Sequence, residues 1–434
     1  MIFEDFSSAW SAMIWSTFAL AVVMGAMVNK TNFCTMGAVS DWVNMDDKGR
    51  MRSWLFAIAV ALLGVTILES LGLANTDDAF PPYRSGNLIW AENILGGFLF
   101  GIGMTFGSGC GNKTLIRLGA GNLKSIMVFL LIGIIAFFMV NPLPGSDQTL
   151  MSLLFLDWIR PLSITLESGQ QDLGTLLAGP EKAASGRLWI GIIIALALLV
   201  FVFLSSDFRN SMDNILGGLV VGMVVIGAWY VTSNIQLAYE SEFDGDVTVS
   251  LREYLDPTTS QWDMSEAVHE SWESAKPDMN SGSPQSLTFI NPSGQALGYV
   301  ATGFDQVKLT FGVALVFGVI LGSFLWSIVT KSFRIEWFAS AGDFFNHLIG
   351  GILMGFGGVL AMGCTIGQGI TGVSTLAVGS MLSLISIIFG SALTMKIQYY
   401  KLVYEDVASF FAALASSLVD MKLLPSKMRK LEKV

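Results

Sequence analysis

Charge is scarce in this chain. Of its 434 residues only 13% are Asp, Glu, Lys or Arg, against 53% apolar, where an ordinary soluble domain carries about a quarter charged. A water-soluble enzyme is excluded on that ground, and a membrane protein is implied. Cysteine is scarcer still. Cys34, Cys110 and Cys364 are too few and too far apart for a disulfide framework, and none forms a CxxC pair. With only His269 and His347 to join them, a zinc or haem site lacks ligands, and no cofactor is expected. No basic run lies within an aromatic-bearing polar face, which argues against nucleic acid. The N-terminus has Glu4 and Asp5 where a cleaved signal would carry Lys or Arg, so the first apolar run reads as a retained span. Proline is sparse, 11 residues against 46 glycines. The glycines sit inside apolar runs, where small residues let membrane helices pack closely.

Apolar runs of roughly 20 residues, the length that crosses a bilayer core, fall at about 10–28, 52–73, 92–109, 122–141, 187–204, 212–232, 306–329, 343–362 and 380–397. The expected fold is therefore an all-α polytopic membrane protein with about nine transmembrane helices. Counted on alternating sides, the face holding loops 29–52, 109–124, 205–212 and 330–342 and the C-terminal end carries 17 Lys and Arg, and the other face carries 7. The basic face reads as cytoplasmic, with the N-terminus on the outer side. The net charge of −10 belongs to one segment: residues 237–305 hold 12 acidic and 2 basic residues, and the remainder holds 22 of each. With Trp262 and Trp272, this acidic insert reads as a solvated extracytoplasmic cap. The C-terminal part, with Phe410, Phe411, Leu414 and Leu418 and a basic finish of Lys427, Arg429 and Lys430, reads as an amphipathic helix on the inner surface.

From Phe344 to Met395 there is no charged residue over 52 positions. That is too long for one span, and two spans leave a dozen residues over. The surplus, around Cys364-Thr365-Ile366-Gly367-Gln368-Gly369, is small and weakly polar. Irregular backbone at membrane depth needs protein around it or a cavity beside it, so a re-entrant segment is expected.

Residues 93–110 and 347–364 align without a gap at seven identities in 18, including Gly101/Gly355, Gly109/Gly363 and Cys110/Cys364. A third copy, 214–231, repeats the opening and puts Val231 in the cysteine position. A fourth has Gly25 nine residues before Cys34, the spacing of Gly101 to Cys110 and of Gly355 to Cys364. If four spans make each half, corresponding helices are five spans apart and run in opposite senses. This is the inverted-repeat plan of many transporters, whose sites lie where broken helices meet near the midplane. The expected organisation is a first half over 1–141, a linker with the fifth span over 142–211, a second half over 212–397 containing the acidic insert, and a cytoplasmic tail over 398–434. The pairs Gly97/Gly101, Gly218/Gly222 and Gly351/Gly355 read as close-packing positions.

Each cysteine follows a glycine-rich helix and precedes Gly, Thr, Asn or Gln. A short half-helix beginning just after each would aim unpaired N–H groups and the positive dipole end at the sulfur, a setting that suits an anion. A thiol is a weak donor and a soft acceptor, able to pass a sulfur-bearing anion along without holding it tightly. Cys34, Cys110 and Cys364 are thus the candidate substrate pathway, with Asn112, Lys113, Thr365 and Gln368 as lining. Lys113 and Arg117 suit an anion-attracting inner vestibule or a positive-inside pair. His347, near the outer start of the eighth span, reads as interfacial.

These residues resemble the YeeE/YedE sulfur-transport family: Asn32-Phe33-Cys34 with Gly37-Ala38 and Asp41-Trp42, Gly109-Cys110 with Leu118-Gly119-x-Gly121-Asn122, and Gly363-Cys364. The resemblance covers most of the chain apart from 142–186, the insert and the tail. It implies a multi-pass bacterial inner-membrane protein with inverted halves and short re-entrant helices. Its thiosulfate-transporting members pass the anion along motif cysteines that match Cys34, Cys110 and Cys364. Other members are tied to selenium or further sulfur compounds, and small cytoplasmic TusA-like sulfur-carrier proteins often accompany them. Two departures stand out: Ala120 where the thiosulfate-type motif leads one to expect a carboxylate, and the length of the acidic insert.

Carrying a dianion inward against an inside-negative potential costs about 4.6 kcal/mol per 100 mV. The spans offer few carboxylates for proton coupling, Glu69 being the exception. Facilitated conduction with chemical trapping is the expected mode, with ion symport as the alternative. The rival class is a membrane sulfurtransferase carrying a cysteine persulfide. It lacks a matching general base, so the chain is read as a transporter and not as an enzyme.

Overall fold

In the computed structural model the residues described are 1–241, 245–256, 279–404 and 409–432. His269, Trp262 and Trp272 lie outside the described residues. The apolar runs form helices: α1 (Phe6–Thr31), α2 (Thr35–Met45), α3 (Gly49–Ser70), α4 (Trp90–Phe106), α5 (Gly111–Gly119), α6 (Lys124–Val140), α7 (Leu173–Ala178), α8 (Ala183–Phe203), α9 (Met212–Asn234), α10 (Ile290–Ala301), α11 (Phe311–Val329), α12 (Ala341–Leu360), α13 (Val378–Tyr404) and α14 (Phe410–Asp420). Their starts follow local chemistry. The side chains of Asp5, Ser211, Thr310 and Ser340 accept from the first free N–H groups of α1, α9, α11 and α12.

Among the described residues eight helical stretches are long and apolar enough to cross a bilayer. The chain is an all-α polytopic membrane protein. The ninth expected span, α6, is 17 residues, which at 1.5 Å per residue is about 26 Å, a little short of a full hydrocarbon core. Short strands add little: Ile2–Phe3 pairs in parallel with 236–237, which pairs antiparallel with 249–250.

Helix contacts come in matched pairs. α1 packs on α11 as α9 packs on α3, and α4 packs on α13 as α12 packs on α6, while α1 meets α9 and α4 meets α12. The short helices follow the same exchange: α2 lies on α3 and α13, and α10 lies on α11 and α6. Glycine permits the crossings. A Cβ on Gly101 would lie 2.2 Å from the Ile387 carbonyl oxygen of α13, and one on Gly25 2.2 Å from the Val319 carbonyl oxygen of α11. The GxxxG pairs divide in the same way: Gly97/Gly101 against α13, Gly218/Gly222 against α3 and Gly351/Gly355 against α6.

Three expectations change. The insert is not solvated throughout. Its uncharged stretch 279–304 is largely buried from Ser283 to Gly298, with Ile290, Pro292, Ser293 and Gly294 of α10 inside the bundle. Because it is uncharged, the stretch buries without the cost of stranding ions, and at 12 residues α10 is too short to span. Val231, the cysteine position of the third copy, lies within α9, and the short helix that follows α9 is capped by Phe289 instead. The tail, finally, folds back on α13. Ala413, Ser416, Ser417 and Val419 are its buried face, Asp420 accepts from Tyr400 Oη at 2.7 Å, and Arg429 reaches both. Phe410 and Phe411 stay exposed, while Leu414 and Leu418 are half-buried beside the contact.

Candidate functional site

All three cysteines cap short helical segments, and the backbone repeats itself around them. Two residues before each sulfur stands a residue in the left-handed region: Asn32 at φ 54°, Ser108 at φ 56° and Met362 at φ 55°. The carbonyls of Cys34, Cys110 and Cys364 then accept the first turn's bonds from Ala38, Thr114 and Gln368 N–H at 3.0, 2.9 and 2.8 Å. Each segment ends in another left-handed residue, at Asp46, Gly121 and Leu376. The chain thus leaves a long helix, turns sharply, presents a buried cysteine and starts a short helix whose opening N–H groups face back toward the sulfur. At Cys364 this contact is explicit, with the Gly367 N–H donating to Sγ at 3.4 Å. The third segment is π-helical over Gly367–Gly372, a distortion frequent at functional sites.

The sequence-predicted residues come together. Cys34 and Cys110 are side-chain neighbours, and Cys110 is also within reach of Thr365 and Cys364. A Cβ on Gly111 would stand 3.9 Å from Cys364 Cβ. The three thiols, all buried, therefore form one series, Cys34 to Cys110 to Cys364. Around them the expected lining is buried too: Asn112, Lys113, Thr365 and Gln368 are 1%, 9%, 0% and 0% exposed. Lys113 Nζ donates to Asn32 Oδ1 and lies within electrostatic reach of Cys34 and Cys110. Gln368 Nε2 donates to the Ala361 carbonyl.

Several polar atoms here have no partner among the described residues: Thr35 Oγ1, Thr365 Oγ1, Asn112 Oδ1 and Gln368 Oε1. A buried polar group left unmatched costs about 1–3 kcal/mol, and such groups in a native protein call for an explanation. Two of these residues directly follow a cysteine. Unmatched buried atoms occur elsewhere too, at Asn93 and Ser383 among others, but these four stand beside the thiols, where they would suit a polar passenger.

Beyond Lys113 lies a cavity of about 420 Å³ lined by Asn32, Lys113, Arg117, Lys124, Arg334 and His347, among others. Lys124 is held by Asp343 at 2.8 Å. His347 therefore faces the same vestibule as Lys113 and Arg117, on the basic side, and not the outer one. It is 5% exposed, with Nδ1 against the Asp343 carbonyl at 2.8 Å. Ala120, at the end of α5, lines this vestibule as well.

On the opposite side the structure adds residues that sequence reasoning missed. Arg84, 2% exposed, pairs with Glu69 at 2.6 Å and Asp77 at 3.0 Å, and its Nε donates to the Thr375 carbonyl at 2.9 Å. Arg187 joins Asp77 to Asp172 at 3.1 and 3.0 Å. Burial raises the carboxyls of Asp77 and Asp172, but the neighbouring guanidinium groups outweigh it and hold both below the ordinary carboxylate range. Glu69 is thus committed to a structural ion network that fastens the end of the Cys364 segment. Its only sequence signal is a run of charges flanking apolar spans, from Glu69 to Arg84.

A family profile described as sulphur transport matches residues 30–393. The chain is 23% identical over 380 residues to the thiosulfate transporter TsuA of Escherichia coli (strain K12), covering 87% of this chain and 93% of that one. It is 24% identical over 384 residues to the protein of the same name from Spirochaeta thermophila, covering 87% and 97%.

Proposed function

Since the chain belongs to the sulphur-transport family, we propose that it takes up thiosulfate or a closely similar sulfur-bearing anion across a bacterial inner membrane. The observation that carries this reading is the single series of three capped thiols with unmatched polar atoms beside it. The thiols serve as soft, weakly binding stations for the terminal sulfur. The hydroxyls of Thr35 and Thr365 serve its oxygens, and the N–H groups opening each short helix offset its charge. Asn112 and Gln368 line the same stretch. Lys113, Arg117 and Arg334 draw the anion into the vestibule, which on the charge count of the loops opens to the cytoplasm. A cytoplasmic sulfur carrier of the TusA-like class, drawing the anion onward, would keep the gradient directed inward. In this reading the two repeat halves lie inverted about the thiols, with the N-terminus and the insert periplasmic and the tail cytoplasmic. The relatives named for thiosulfate transport support the choice of substrate.

The test is uptake of sulfane-labelled thiosulfate into liposomes holding wild-type protein, Cys110→Ala or Cys110→Ser, with excess sulfate as competitor. Uptake that sulfate does not block, and that collapses in Cys110→Ala, is the expected result. Equal uptake by wild type and Cys110→Ala overturns the pathway, and no uptake by folded wild type overturns the substrate.

A further inference from the structure

On the side away from the vestibule, three segments close over Cys364. The loop at 80–84 is fixed at both ends: Phe80 N–H donates to the Pro284 carbonyl at 3.0 Å, and Arg84 holds the Thr375 carbonyl. Residues 283–289 run between α9 and the Cys364 segment. Ser286 Oγ donates to the Val225 carbonyl at 3.0 Å, and Thr371 Oγ1 donates to the Leu287 carbonyl at 2.8 Å. Between these walls stand Tyr83 and Trp229, 1% and 0% exposed, with ring centroids 6.5 Å apart and edge to face. The Tyr83 hydroxyl is close enough to Cys364 to interact with it electrostatically.

Both rings are fully buried, and both polar atoms, Tyr83 Oη and Trp229 Nε1, lack a hydrogen-bond partner among the described residues. Buried Tyr and Trp ordinarily find a partner for the O–H or N–H, because an unmatched donor is costly. Two unmatched donors on neighbouring rings, one of them within electrostatic reach of Cys364, are not explained by packing, for which Phe would serve as well. Burial together with Cys364 pushes the Tyr83 phenol up, so it remains a neutral donor throughout the physiological range.

Resting on the transport reading above, we propose that Tyr83 and Trp229 form an oxyanion-recognising station on the outer side of Cys364. Their O–H and N–H meet the oxygens of the anion while its terminal sulfur turns to the thiol. A thiosulfate-type anion has a hard oxygen end and a soft sulfur end, and this corner offers donors for one and a soft partner for the other. Two neutral donors recognise the oxygens without the deep well that a buried arginine would create, so the anion moves on.

The experiment is calorimetric titration of detergent-solubilised full-length wild type, Tyr83→Phe and Trp229→Phe with thiosulfate and with sulfate, alongside melting temperatures and uptake kinetics. Phe keeps an aromatic ring and removes the donor. The expected result for Tyr83→Phe is about five- to tenfold weaker thiosulfate binding, as for loss of one neutral hydrogen bond, with a matching rise in KM, Vmax retained and a melting temperature equal to or above wild type. Trp229→Phe should weaken binding in the same sense. Unchanged binding in both variants overturns the station while leaving the transport reading standing. Weaker binding together with a lower melting temperature in Tyr83→Phe reveals a structural partner for the hydroxyl and overturns it as well. No thiosulfate binding by folded wild type overturns both.

Discussion

A buried hydroxyl with no partner separates stability from function at a single atom. Thr365 stands directly after Cys364, is 0% exposed, and its Oγ1, beside the Cys110 thiol, has no nitrogen or oxygen partner among the described residues. If the hydroxyl served the fold, its loss would cost the roughly 1 kcal/mol of an average hydrogen bond. Left open for a passenger, it costs the resting protein stability and returns value only when the site is occupied. Thr365→Val keeps the β-branched shape and is expected to hold or raise the melting temperature while lowering thiosulfate uptake several-fold. A drop in melting temperature with full uptake would assign the hydroxyl to the fold. Cys364 accepts a helix N–H, and Cys34 and Cys110 sit one behind the other at the openings of α2 and α5.

Among the elements, the crossings of the long helices set where the thiols meet. Gly101 lets α4 approach α13 to backbone contact, since any Cβ there would overlap the Ile387 carbonyl. Gly101→Ala is expected to destabilise by about 1–3 kcal/mol, as overpacked cores do, read as a fall in melting temperature. Gly342→Ala, whose added Cβ would meet nothing nearer than 3.7 Å, should be close to neutral. The network over the Cys364 segment makes a second claim, about pH. Asp77 and Asp172 are depressed by Arg84 and Arg187, so their contribution is fully present above the unfolded carboxylate value near 3.9 and is lost as pH falls through their folded values. Asp172→Asn should therefore melt below wild type at pH 7, and the gap should narrow in acid; a gap independent of pH would remove the charge argument. Much of this level was legible beforehand, because glycines at a fixed offset from each cysteine mark both the crossing and the turn that follows it. Phe289 was not legible. Its segment lacks both the cysteine and the glycine-rich run directly before it, since some fifty residues of insert separate α9 from α10, and an acidic composition averaged over 237–305 hides the uncharged run inside. Tyr83 and Trp229 were equally hidden: which buried aromatic rings are left with an unmatched polar atom is decided by tertiary packing, which no local pattern encodes.

For the molecule as a whole, the distribution of charge argues for a conductor driven by its surroundings. The carboxylates of the ion network are paired with arginines, and the basic groups gather at the vestibule. On the transport reading proposed above, that arrangement would lower the barrier for an anion, while the network's carboxylates stay tied to arginines. A dianion moving alone carries two charges through the field, about 4.6 kcal/mol per 100 mV, so an uncoupled pathway has one signature that a symporter lacks. Liposomes clamped at an inside-positive 100 mV should accumulate thiosulfate about three orders of magnitude above the level reached at zero potential, by the same arithmetic, and an inside-negative clamp should expel it to a similar degree. Neither result should depend on a sodium or pH gradient. Accumulation against an inside-negative potential that needs such a gradient would overturn uncoupled conduction. It would also send the search for a coupling site to the few buried carboxylates, among which Glu92, 2% exposed and paired with Arg160 at 2.8 Å, is the first to substitute.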